Sequence, residues 1–158
     1  EMQLDTDFEL LFPDDYINNI TERLNLYTQL NEVKDEEGLQ KFEAELVDRF
    51  GELPTQAVDL LNSVRIKWIA THIGLEKVIL KKGKFIGYFI ADQQSTFYQS
   101  PVFTQVLQYV QSHPQKVRLK EKQTRSGLRL LLTFDRITSV DKALKVLEPF
   151  SYELAPSQ

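Results

Sequence analysis

The sequence predicts an α+β protein: an N-terminal three-helix lobe followed by an antiparallel sheet of two hairpins with two covering helices. Three observations predict it. Over residues 13–74 apolar side chains recur at three- and four-residue steps, the period of amphipathic helices. From Leu75 the pattern changes to two short β-rich runs separated by the basic turn Lys81-Lys82-Gly83-Lys84. A helix-start signal at Ser100-Pro101 then separates that hairpin from a second one.

Taken in order, Glu1–Leu11 is polar with an apolar end, and reads as a linker or an edge strand. Pro13 is expected to open the first helix, with Asp14 and Asp15 near its positive end and Ile17, Ile20, Leu24, Tyr27 and Leu30 as its apolar stripe. Asp35 is the expected N-cap of the second helix, followed by Glu36 and Glu37. Leu39, Phe42, Leu46 and Phe50 form that helix's apolar face, and Gly51 stops it. The third helix runs from Pro54 to His72 and closes at Gly74. Lys77–Leu80 pairs with Phe85–Ile90, and Val117–Lys122 pairs with Leu128–Phe134 across Ser126-Gly127. Between the hairpins, Val102, Phe103, Val106, Leu107 and Val110 line a helix that Pro114 ends; a last helix spans Ser139–Leu147. The expected organisation is 1–12 as linker, 13–74 as helical lobe, 75–150 as hairpin-helix-hairpin-helix lobe and 151–158 as a frayed tail.

Several kinds of chemistry lack the residues they need. There is no cysteine, so disulfides, thiolate metal ligands and cysteine nucleophiles are excluded, and a reducing cytoplasm is compatible. No phosphate-cradling, dinucleotide-binding, serine-hydrolase or zinc-protease signature occurs. His72 and His113 have no metal-ligand spacing, and the pairs Asp14-Asp15 and Glu36-Glu37 are accounted for by helix N-termini. No apolar run is long enough to cross a bilayer, so no membrane partner is expected. The chain begins with Glu1, which suggests a fragment of something longer.

Charge is unevenly spread. The net charge is −4, yet residues 1–60 carry 16 acidic against 4 basic side chains and the remainder 7 against 15. An acidic first half repels phosphates and suits an Arg-rich protein surface. Within it, Glu45 and Asp48 break a local rule: Asp48 sits in the last turn of its helix, where the carbonyls already concentrate negative charge, and Glu45 lies one turn earlier. Two readings stand. Glu45 pairs with Lys41 and Arg49 on an ordinary solvated face, together with Glu52, or the carboxylates serve a partner. In the second half, Lys81, Lys82, Lys84, Lys116, Arg118, Lys120, Lys122 and Arg125 either contact phosphates, helped by Tyr88, Phe97 or Tyr98, or keep strand edges soluble. The second account is preferred, and direct DNA contact is not expected.

Two stretches carry a resemblance. FPDDYINNITERLNLYTQL (Phe12–Leu30) and FEAELVDRFGELPTQAVDLL (Phe42–Leu61) are similar to the C-terminal domain of bacterial transcription-repair coupling factors, whose pattern is a Pro-Asp-Asp-Tyr-Ile start, an Arg-Leu-x-x-Tyr run and Glu-Leu-x-Asp-Arg-Phe-Gly-x-Leu-Pro. From Leu75 onward the likeness is only in the order of elements. The resemblance implies a large cytoplasmic ATP-driven DNA translocase that removes stalled RNA polymerase and recruits excision repair through UvrA. ATP and Mg would belong to motor domains upstream, and this segment would be a non-catalytic regulatory domain without a cofactor. It would clamp the protein's own UvrB-like module and cover the UvrA-binding surface, with Glu45 and Asp48 as contacts and Lys41, Arg49 and Glu52 as secondary ones. The alternative is a DNA- or polymerase-contacting module using Lys81, Lys82, Lys84, Arg118, Lys120 and Lys122.

Overall fold

The computed structural model describes residues 1–153. In chain order the elements are β1 (Gln3–Thr6), α1 (Ile20–Glu32), α2 (Glu36–Phe50), α3 (Thr55–His72), β2 (Leu75–Lys81), β3 (Lys84–Phe89), α4 (Pro101–Ser112), β4 (Arg118–Thr124), β5 (Gly127–Asp135) and α5 (Val140–Glu153), with a short 3₁₀ turn at Thr96–Gln99 before α4. The class is α+β, as predicted. Two compact units divide inside α3: Glu9–Arg65, and Glu1–Phe8 with the chain from Ile66 on.

In the helical unit, α2 forms as its sequence dictates. Asp35 caps it by accepting from Gly38 N at 2.8 Å, Leu39, Phe42 and Leu46 are buried, and Gly51, at φ +90°, ends it. The start of α1 differs from expectation. Pro13 opens only an isolated turn, in which Tyr16 N and Ile17 N donate to Pro13 O. Asn19 is extended and its side chain accepts from Glu22 N, so the helix begins at Ile20. The buried face differs from the expected stripe as well: Leu26 and Leu30 are buried, whereas Ile20 and Leu24 are 65% and 60% exposed. Phe12, within the stretch expected as linker, is buried under Tyr27 and Phe42, with ring centroids 4.9 and 6.3 Å away.

In the sheet unit the strand order is β1-β2-β3-β5-β4. Both predicted hairpins are present, with two-residue connections between β2 and β3 and between β4 and β5. The sheet is mixed rather than wholly antiparallel, because β1 joins β2 in parallel, Gln3 opposite Lys77 and Thr6 opposite Leu80. Of the two readings of the N-terminal stretch, the edge strand is the one realised. Side chains alternate across the strands. Val78, Leu80, Phe85, Phe89, Leu132 and Phe134 are buried on one face. There α4 and α5 pack through Phe103 on Phe89 (5.8 Å) and Phe150 on Phe134 (6.4 Å). α5 passes through Pro149 instead of ending at Leu147: Phe150 lies 4.6 Å from the Tyr109 ring and is buried, and this packing carries the helix past the missing N–H. The predicted tail is thus helical as far as Glu153, and its last five residues lie outside the described ones. No helix among the described residues is long and apolar enough to cross a membrane.

Candidate functional site

The α2 surface is built from both ends of the helix. At its C-terminus the Tyr16 hydroxyl donates to the carbonyl of the C-cap residue, Gly51 O, at 2.8 Å and also lies 3.3 Å from Leu46 O. Partial burial raises the Tyr16 pKa above the ordinary phenol value, so the donor keeps its proton. The Tyr16 ring packs on Phe50 at 5.8 Å. Nearer its N-terminus, Glu36 accepts from Arg65 Nε and Nη2, each at 2.8 Å, and from Gln40 at 2.9 Å. The Arg65 hydrogen bonds hold the Glu36 carboxyl below its usual range against the opposing effect of burial.

On this framework Glu45 and Asp48 are both exposed, one helical turn apart. Neither has a cation within 4 Å among the described residues, so the ordinary-pair reading of Glu45 is not realised. Lys41 is exposed and unpaired in the same sense. Arg49, the other expected partner, is committed elsewhere: its guanidinium donates to Glu22 of α1 and lies 4.8 Å from the Phe50 ring centroid. Glu52 is exposed beyond Gly51, in the turn past the helix end rather than on the helix face. The result is two solvated carboxylates on a rigid helix whose nearby arginine is neutralised by Glu22. Tyr16, Glu22 and Arg65 were missed by sequence reasoning. All three are long-range partners that helical spacing cannot reveal.

In the sheet unit, register places Lys81 and Lys84 opposite each other, and Arg118, Lys120 and Lys122 at alternate positions of β4. These five share the sheet face opposite the phenylalanine core, while Lys82 lies in the β2–β3 turn. Tyr88 is on the same face. Phe97 and Tyr98 are not: they pack against Phe89 and Phe103, and the Tyr98 hydroxyl donates to Ile90 O. Both are half-buried, and their rings face other aromatic side chains instead of the basic strip. His113 stacks on Tyr109 at 3.9 Å, and no group of three or more His, Asp or Glu suited to a metal occurs among the described residues.

Comparison with known proteins fits this architecture. A crystal structure of the C-terminal domain of transcription-repair coupling factor superposes with a TM-score of 0.66 over 97% of this chain and 95% of that one, at 17% identity, a likeness of fold. Among curated relatives, the transcription-repair-coupling factor of Rickettsia bellii is 24% identical over 85% of the chain and 11% of its own length. That of Escherichia coli K12 is 38% identical over 43% of the chain and 6% of its own length. That of Staphylococcus haemolyticus is 35% identical over 54% and 7%. The chain thus spans about a tenth or less of the curated relatives it matches. The TRCF domain model matches residues 6–100, well over half of the sequence, and the chain belongs to that family, the family of the transcription-repair coupling factors.

Proposed function

We propose that this chain is a non-catalytic, autoinhibitory interaction domain of an ATP-dependent DNA translocase acting in transcription-coupled nucleotide excision repair in the cytoplasm. Glu45 and Asp48 grip basic residues of the same protein's UvrB-like module, covering its UvrA-binding surface until RNA polymerase is engaged. ATP and Mg are used by the translocase's motor domains and not by this one. The observation that supports the reading is the exposure of two carboxylates without a cationic partner within 4 Å among the described residues, one of them in the helical turn where negative charge is disfavoured. A carboxylate pair one turn apart is suited to receive guanidinium groups, whose planar donors match it.

Such a contact is a latch rather than a weld. Exposed ion pairs contribute roughly 0–1 kcal/mol each and weaken with salt, so a modest competing interaction opens them. In the full-length protein, Glu45→Ala with Asp48→Ala is expected to raise ATPase activity and UvrA binding. Wild-type levels of both at physiological salt would refute the reading.

A further inference from the structure

The sheet face opposite the phenylalanine core carries chemistry that the α2 latch does not use. On β4 it presents Arg118, Lys120 and Lys122, all exposed. The register adds two cations that sequence reasoning did not single out, Lys77 opposite Tyr88 and Arg129 opposite Lys122. These converge on one ring. Lys77 Nζ and Lys122 Nζ each lie 5.8 Å from the Tyr88 centroid and the Arg129 guanidinium 5.5 Å, while Lys122 Nζ also donates to the Tyr88 hydroxyl at 3.3 Å. Arg129 is fixed in place by Phe89 O at 2.7 Å and Glu76 at 3.2 Å.

Lysines at a strand edge can serve solubility alone. Here that account is insufficient, because Lys77 and Tyr88 lie on inner strands, where no edge needs protection. The carboxylates of this face are few and already taken up: Asp5 by Lys81 at 2.9 Å, Asp135 beside Arg118 at 3.9 Å. Lys77, Lys84, Lys120 and Lys122 have no carboxylate within 4 Å among the described residues. Ile79 and Ile86 are half-buried beside Tyr88.

From this juxtaposition we infer that the open sheet face is a binding surface for single-stranded nucleic acid. The β4 row follows the phosphates, its side chains repeating roughly every 6.8 Å along the strand. Tyr88 stands two strands inward, about 9–10 Å away at ordinary strand spacing, within reach of a base whose phosphate rests on β4. There the base stacks on the phenol ring and the Arg129 guanidinium. An acidic protein segment would answer the lysines but not the aromatic and aliphatic centre, and a duplex keeps its base faces hidden.

Fluorescence anisotropy of the chain with labelled oligo-dT and oligo-U of about 15 nucleotides, the matching duplex and poly-glutamate tests this. Both single strands are expected to bind at micromolar concentration at low salt, more tightly than the duplex or poly-glutamate. Lys120→Ala with Lys122→Ala should weaken binding about ten-fold or more and reduce the salt slope by about 1.4, the loss of two phosphate contacts. Tyr88→Leu should weaken it about five-fold or more without changing the slope, and Tyr88→Phe should retain it. Absence of binding, equal binding of poly-glutamate or duplex, or a Tyr88→Leu protein that binds as the wild type does would overturn the inference. Glu45→Ala with Asp48→Ala should bind the oligonucleotides no more weakly than wild type, so the two surfaces fail or stand separately.

Discussion

Removing Glu45 and Asp48 together should leave the isolated domain as stable as before, or more stable. Neither side chain is on the buried stripe of Leu39, Phe42 and Leu46, and neither loses a cation within 4 Å when truncated. Asp48 lies in the last turn of a 15-residue helix, where an exposed carboxylate costs roughly 0.3–1 kcal/mol against the helix dipole. Alanine has the higher helix propensity by up to about 0.7 kcal/mol, more so against Asp than against Glu. The expected net gain for the double substitution is about 0.5–1.5 kcal/mol. For a chain of this size that raises the melting temperature by a few degrees, on the scale of about 2–4 °C per kcal/mol. Urea and thermal unfolding followed by circular dichroism measure it directly. A loss of more than about 1 kcal/mol would show that the two carboxylates hold the fold together, and the reason for assigning them to a partner would disappear.

Three further outcomes follow from the geometry. Gly74 sits at φ +87°, and a Cβ there would lie 2.4 Å from the Phe97 ring, so Gly74→Ala should cost about 2–4 kcal/mol; Gly83→Ala, at φ +77° but with nothing within 4 Å, should cost about 1–2 kcal/mol in the same unfolding assay. Because the Arg65 hydrogen bonds depress the Glu36 pKa, its contribution is fully present above the unfolded value of 4.5 and is lost as pH falls through the lower folded value. Glu36→Gln should therefore be less stable than wild type at neutral pH, and the gap should close as the pH falls below 4.5 and through the lowered folded value. Phe12→Ala removes a ring that is 1% exposed and should destabilise the helical unit by about 3–5 kcal/mol, which hydrogen exchange in α1 and α2 would report.

The parts of this fold that could be read from sequence are those fixed by local chemistry. Asp35, Gly51, Ser100 and the two hairpin connections each act within a few residues, and each took its expected place. What could not be read depends on partners far along the chain. β1 is a strand because Gln3–Thr6 finds β2 more than seventy residues later, a pairing with no local signature. α1 was placed too early because Pro13 and the two aspartates form a turn start, while Asn19 holds the real cap six residues on. α5 runs past the expected end at Leu147 because the packing of Phe150 on Tyr109 is invisible to propensity. The candidate site divides the same way. The misplaced charge of Asp48 was legible from its position in the helix, but the diversion of Arg49 to Glu22 was not. On the sheet the basic composition was legible; that it converges on Tyr88 follows only from register.

The proposed latch joins the two carboxylates of α2 to a basic surface of the UvrB-like module. Calorimetric titration of this domain with the UvrB-like module at low and high salt tests it most directly, for the wild type and for Glu45→Ala with Asp48→Ala. Measurable binding that weakens with salt and is lost in the double variant is the predicted result. Binding unchanged by the two substitutions, or no binding by the wild type even at low salt, would contradict it.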